Sequence, residues 1–194
     1  MDPLDIRALG ADQADELRAT LSLAFSDDPC TRYIWPTAAA FLKAYPRLLM
    51  AIGGADLERG AGFSTADYGA AALWLRPGGA PDSDAIGALI GETVAPERQA
   101  VMAKVGELMD RYHPDEPHWY LSMIGVDPAR QGRGLGSALL RHTLALCDAE
   151  GVAAYLESSN PKNISLYERH GFEVIGQIQP DDFPGMTPML RRAR

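Results

Sequence analysis

Residues 118–136, HWYLSMIGVDPARQGRGLG, pass from an aromatic and β-branched stretch into a glycine-rich turn, and a leucine-rich segment follows at once. A strand that ends in such a turn and restarts as a helix gathers several unpaired backbone N–H groups at one point, together with the positive end of the helix dipole. That point attracts phosphate. Gly132, Gly134 and Gly136 allow close approach or a positive φ, and Arg130 and Arg133 supply long charged arms to an anion lying over the turn. On spacing alone, a tight turn with packing glycines and solvated arginines is the competing reading. Two familiar phosphate loops are excluded. A Walker loop needs a lysine where none occurs between Lys104 and Lys162, and a dinucleotide fingerprint meets Ser137 or Leu139 where its third glycine belongs.

Elsewhere the hydrophobic pattern predicts alternating elements. Leu4, Ile6 and Ala8 read as a short strand, and Leu17, Leu21, Ala24 and Phe25 follow at helical spacing. AAAFLKAYPRLLMAI reads as a helix that Pro46 kinks or ends. AGFSTADYGAAALWLRPGG reads as a hairpin turning near Asp67 to Gly69. From Pro81 to Met109 the helical pattern is interrupted by Gly87, Gly91, Pro96 and Gly106, which predicts two or three short helices. After the glycine-rich turn comes a helix closed by Gly151. Its apolar stripes are Leu135, Ala138, Leu139, Ala145 and Leu146, and then Leu140, Leu144 and Cys147. VAAYLES is a strand, NPKNISLYERHG is a short helix capped by Asn160, and FEVIGQI and MTPMLRR are two closing strands.

The 194 residues suit one domain spanning 1–194, and strand-helix alternation in the last third predicts an α+β (α/β layered) architecture. With 18 Lys+Arg against 26 Asp+Glu, the formal charge of -8 argues against nucleic acid and anionic membrane as partners. Cys30 and Cys147 form no metal-spaced cluster and read as reduced thiols, so no metal is expected. MDPLDIRALG has no signal-peptide pattern and no apolar run nears the roughly 18 residues of a membrane span, which together predict a cytoplasmic protein.

Gln131, Gly134 and Gly136 stand in the Q-x-x-G-x-G/A arrangement, and HWYLSMIGVDPARQGRGLGSALL with LESSNPKNISLYERHGF resembles the cofactor half of the GNAT superfamily of N-acetyltransferases, in a version similar to puromycin N-acetyltransferase and its relatives. The resemblance covers roughly residues 117–178. It implies a mixed central sheet, mostly antiparallel with a splayed parallel pair, flanked by helices. It also implies acetyl-CoA as cofactor and a small-molecule amine as acceptor, acetylated by direct attack in a ternary complex, with a homodimer as an open state.

By that resemblance Met123, Ile124, Gly125 and Val126 hold the pantetheine arm by strand addition, with Gly125 either at a bulge or simply packed in an ordinary strand. The backbone N–H groups of Arg130, Gln131, Gly132, Arg133, Gly134, Leu135, Gly136 and Ser137 take the diphosphate, and Asn163 is a further cofactor contact. Tyr167, four residues after Asn163 on the same helix face, is the acid for the departing thiolate, although packing against Phe172 would equally occupy its ring. The Ile124 N–H is the candidate oxyanion donor. Glu157 is the candidate base, against a structural role paired with Arg169, His170 or backbone, and His118 and Tyr120 rank below it for facing the acceptor. Asp27, Asp28, Tyr33 and Trp35 suit an acidic, aromatic wall for a cationic amine, against a plain turn and a core tryptophan. Two other functions are weighed: a non-catalytic acyl-CoA sensor on the same fold, and a nucleotide-binding module using the glycine turn.

Overall fold

The computed structural model describes residues 5–194, so Leu4 of the first predicted strand lies outside the described residues. Seven strands form one sheet in the order β1-β2-β3-β4-β5-β7-β6, where β1 is Ile6–Leu9, β2 Gly62–Thr65, β3 Ala70–Leu75, β4 His118–Val126, β5 Ala153–Ser158, β6 Glu173–Val174 and β7 Thr187–Arg191. Every neighbouring pair is antiparallel except β4 and β5. The predicted mixed, helix-flanked sheet with one parallel pair is therefore the observed fold.

Among the described residues there are seven helices: α1 (Ala14–Ala24), α2 (Pro29–Ile34), α3 (Ala38–Leu57), α4 (Ser83–Thr93), α5 (Pro96–Tyr112), α6 (Leu135–Glu150) and α7 (Ile164–Arg169). Strand alternation sends Ala70, Ala72, Trp74, Trp119, Leu121, Ala154 and Leu156 to the face under α6 and α7. Ala71 and Leu73 go to the opposite face, against Leu17 and Leu21 of α1 and Phe41, Tyr45 and Leu49 of α3. A smaller cluster of Cys30, Val101, Val105, Ile178 and Phe183 joins α2, α5 and the chain leading into β7.

Several expectations change. Pro46 neither ends nor divides α3, and the Leu42 carbonyl that loses its helical donor belongs to a residue on the exposed side of the helix. Residues 83–112 make two helices, within the two or three expected, but α5 is not short: it runs for 17 residues from Pro96, because Gly106 lies in open space and does not break it. Ala145 faces outward, and Thr143 takes its place in the buried stripe with its hydroxyl bonded to the Leu139 carbonyl. FEVIGQI pairs only through Glu173–Val174, after which the chain leaves the ladder at Gly176 to pass the Tyr112 ring and returns in a bridge between Ile178 and Met186. Gly151 closes α6 as expected, with φ +69° and the Val152 and Gly151 N–H groups bonded to the Cys147 and Asp148 carbonyls.

The feature that positions the site is in the middle of the sheet. Parallel pairing of β4 with β5 ends at Leu121↔Leu156, and beyond it the two strands part. At the same place the β3 register jumps from Leu73↔Met123 to Trp74↔Leu121, leaving Ser122 as the extra residue of a bulge whose hydroxyl donates to the Leu73 carbonyl. The bulge is thus at Ser122. Gly125 remains in register opposite Ala71 and serves as a close-packing residue, since a Cβ there would lie 2.5 Å from the Ala24 Cβ of α1. Gly125→Val should cost about 1–3 kcal/mol through overpacking, checked by urea denaturation, with part of the loss relieved if Ala24 is also replaced by Gly.

Candidate active site

The outward edge of β4 follows from its ladder with β3. Asp127 N–H donates to the Gly69 carbonyl, so alternation turns the N–H groups of Met123 and Gly125 toward β3 and those of Ile124 and Val126 into the opening. Of the four residues expected to hold a pantetheine arm, two therefore offer backbone groups to it. Met123 instead accepts from the Tyr45 hydroxyl through its sulfur at 3.4 Å.

After Val126 the chain is turned by Asp127, whose carboxylate accepts from Ala129 N–H and caps the short turn Pro128–Arg130. Gly132 and Gly134 then adopt φ +76° and +80°, and Gly134 leads directly into α6. Among the described residues, no acceptor meets the backbone N–H groups of residues 131–137, and the first bond of the helix runs from Ala138 to Gly134. These amides, at the positive end of a 16-residue helix, fit a diphosphate. Arg130 plays another part than a phosphate arm: it is ion-paired with Asp67, whose carboxyl it holds down at about 2, and so fastens the loop to the β2–β3 turn. Arg133 is exposed and Leu135 is buried, leaving Leu135 only its N–H to offer. The Ser137 hydroxyl is already engaged by His170 Nε2 at 2.7 Å and Arg141 Nη1 at 2.8 Å.

On the other side of the opening, Asn160 caps the turn Pro161–Asn163 by accepting from Lys162 N–H, and Asn163 stands exposed at the start of α7. Tyr167 is buried, its ring edge-on to Phe172 at 6.0 Å, and burial followed by the nearby charge of Asp28 pushes its phenol well above the ordinary value. Asp28 thus comes close to Tyr167 from far away in sequence. It caps α2 by accepting from Thr31 N–H and accepts from the Ser159 hydroxyl at 2.6 Å, docking α2 on the end of β5, and burial raises its carboxyl.

Glu157 projects from β5 just beyond the last β4 pairing, on the same face as Tyr155. Its Oε1 and the Tyr155 hydroxyl are buried with no hydrogen-bond partner. Burial pushes the carboxyl up to about 7, while the neighbouring phenols of Tyr120 and Tyr155 pull the other way. Tyr120 and Tyr155 are opposite one another in the ladder with rings 5.8 Å apart, and His113 meets both edge-on at 5.2 and 5.1 Å. His118 closes the group with its Nε2 3.1 Å from that of His113. Neither Arg169 nor His170 pairs with Glu157, since Arg169 bonds Ser165 and His170 bonds Ser137, whereas the carboxyl does take a backbone N–H.

Two wall residues are placed elsewhere. Trp35 is 1 % exposed with its indole N–H on the Thr93 hydroxyl, a core position between α2 and α4 that turns no face to the opening. Tyr33 donates to Asp182 at 2.6 Å, lies under Arg98 and meets Phe183 edge-on, within the α2–α5 cluster, while Asp27 is exposed beside Asp28. Cys147 is fully buried in the main core, and burial pushes its thiol up to about 12. Tyr155, Ser159 and His113 escaped the sequence reading. Strand alternation from Glu157 would have found Tyr155, whereas His113 is brought from the end of α5 by packing alone.

No helix among the described residues is long and apolar enough to cross a membrane. A model of the acetyltransferase (GNAT) family matches residues 69–172. An uncharacterized N-acetyltransferase of Schizosaccharomyces pombe is 30% identical over 171 residues, covering 79% of this chain and 68% of its own. The peptidyl-lysine N-acetyltransferase YjaB of Salmonella typhimurium is 26% identical over 109 residues, covering 47% of this chain and 74% of that one. Among solved structures, a histone acetyltransferase HPA2 and related acetyltransferase from Corynebacterium glutamicum is 27% identical, covers 97% of this chain and 96% of its own, and has a TM-score of 0.68. With its family match spanning the parted strands, the glycine loop and α7, the chain belongs to the GNAT family of N-acetyltransferases.

Proposed function

We propose that the chain moves the acetyl group of acetyl-CoA to the primary amine of a small cationic molecule by direct attack. The observation that carries the reading is Glu157: a carboxyl pushed up to about 7 by burial, with its Oε1 buried and without a hydrogen-bond partner, beside the phenols of Tyr120 and Tyr155 at the fork of the parted strands. Such surroundings favour an alkylammonium ion, through charge and through the faces of Tyr120 and Tyr155. YjaB is named for peptidyl-lysine, whose side chain ends in the same group.

Acetyl-CoA supplies the activated thioester when bound. The amides of residues 131–137 take its diphosphate, and the outward N–H and carbonyl groups of Ile124 and Val126 pair with its amide-bearing arm. Glu157 Oε1 accepts the proton that the ammonium must lose before it can attack. The Ile124 N–H faces the place where negative charge grows on the carbonyl oxygen. Tyr167, kept protonated by burial, would give its phenolic proton to the sulfur as the C–S bond breaks and regain one from the nitrogen, which loses its second proton as the amide forms. Asp28, anchored by Ser159, adds negative charge to the acceptor side.

Incubation with acetyl-CoA and a panel of primary alkylamines, including a lysine peptide, should release free CoA, with neutral aromatic amines the poorest acceptors. Silence across the panel would defeat the proposal. Tyr167→Phe should lower kcat about 100-fold with little change in KM for acetyl-CoA, and unchanged kcat would remove Tyr167 from the mechanism. Gly134→Val places a β-branched residue at φ +80°, so it should weaken CoA binding at least about tenfold in calorimetry while circular dichroism stays native.

The pH dependence has a definite sign. Because the folded-state value of Glu157 lies above its ordinary 4.5, the neutral carboxyl stabilises the fold at acid pH, and that stability is lost as pH rises through about 7. Glu157→Gln should therefore match the parent's melting temperature near about pH 4 and exceed it near about pH 9, by about 3 kcal/mol of stability. The same variant should flatten the acid limb of kcat/KM, which in the parent falls below about pH 7.

A further inference from the structure

Behind the cofactor loop, where the flank of α6 meets the end of α7 and the end of β7, lies an open-mouthed cavity of about 350 Å³. Arg141, Arg169, Arg191 and Arg194 line it around His170, and Asp148 is its one acidic side chain. That carboxylate is already matched, because both of its oxygens accept from the nearly buried Arg191, at 2.8 and 2.7 Å, and it also takes the Arg194 N–H. Arg141 and Arg169 are paired only with neutral hydroxyls, those of Ser137 and Ser165. Among the described residues neither has an ion pair, nor does the Arg194 guanidinium. In a chain of formal charge -8, this is a concave surface whose arginines outnumber its acids. His170 registers the resulting field, being held below its ordinary value first by burial and then by the charges of Arg141, Arg169 and Arg191.

Guanidinium forks match the oxygens of a phosphate two at a time. Leu144 and Ala145 supply an apolar floor, and the volume is that of a small-molecule site, roomier than an inorganic ion requires. We propose that this cavity binds a phosphomonoester, its dianion held by Arg141 and Arg169 and its organic part lying over Leu144 and Ala145. The cavity extends along α6 away from the cofactor loop, from Arg141, one turn after Ser137, to Asp148, about 10 Å further on. It is nevertheless joined to the loop by His170, whose Nε2 meets the Ser137 hydroxyl in the first turn of α6. An occupant that draws Arg141 away from Ser137 therefore reaches the amides that receive the diphosphate, and the two affinities become linked.

Calorimetry on the whole chain at constant chloride tests this with inorganic phosphate and with glycerol 3-phosphate. The ester should bind saturably and at least tenfold more tightly than phosphate, and it should move the His170 titration upward by NMR. Arg169→Glu should abolish that binding while acetylation without the ester stays unchanged. Equal weak binding of phosphate, ester and sulfate, an adventitious ion only, would overturn the proposal, as would ester binding that survives Arg169→Glu. So would competition by CoA but not by dephospho-CoA, which would make the cavity part of the cofactor's own footprint. Because binding is read without turnover, failure here leaves the proposed acetylation standing, and a chain that acetylates nothing can still bind the ester.

Discussion

The parting of β4 from β5 is the constraint on which the rest of the molecule depends. Up to Leu121 and Leu156 the two strands satisfy one another's backbone groups, and past that point neither can. A break in the centre of a sheet is costly unless something accepts the freed N–H and carbonyl groups. The Ser122 bulge absorbs the change of register against β3, so the antiparallel ladder continues through Val126 while the opposite edge opens. Both flanks are then braced by helices: α1 closes on Gly125 on one side, and α6 and α7 pack on the other. The opening is held apart by packing, which is why an extended amide-bearing ligand can complete the sheet there.

The charges around the opening follow from its burial. Asp28 and Glu157 come from opposite ends of the fold, yet both are removed from water at the mouth of the gap, and both have raised affinity for a proton. Their environments differ. Asp28 receives bonds from Thr31 and Ser159 and so acts as the rivet between α2 and β5. Glu157 faces phenols and keeps an unpartnered oxygen, the condition of a group that exchanges protons instead of holding a structure together. Placing a carboxyl in that condition costs folding free energy, and the three core clusters that surround the sheet offset it.

Family membership separates what these residues have in common with other acetyltransferases from what is particular to them. Acetyl transfer follows from belonging to the GNAT family, and the glycine loop and parted strands are its local expression. His118, Tyr120 and Tyr155 stand on those strands themselves, whereas His113, which meets both tyrosines edge-on, is brought to them from the end of α5.

Local chemistry alone determined a good part of this molecule. The run from His118 to Glu150 could only be a strand, a turn of left-handed glycines and a helix, because its β-branched, glycine and leucine-rich segments each admit one backbone conformation in that order. The caps at Asn160 and Gly151 were legible for the same reason, since each acts on backbone within a few residues. Tertiary structure decided the rest. Whether Gly125 bulged or packed depended on α1, whether Arg130 reached out or held Asp67 depended on the β2–β3 turn, and whether Trp35 lined a wall or filled the core depended on α4. The burial of Glu157 Oε1 without a partner, and the arrival of Asp28 beside Tyr167, are sums of contacts between segments distant along the chain. Propensity and spacing describe each segment by itself, whereas burial and charge at the site arise only once the segments meet.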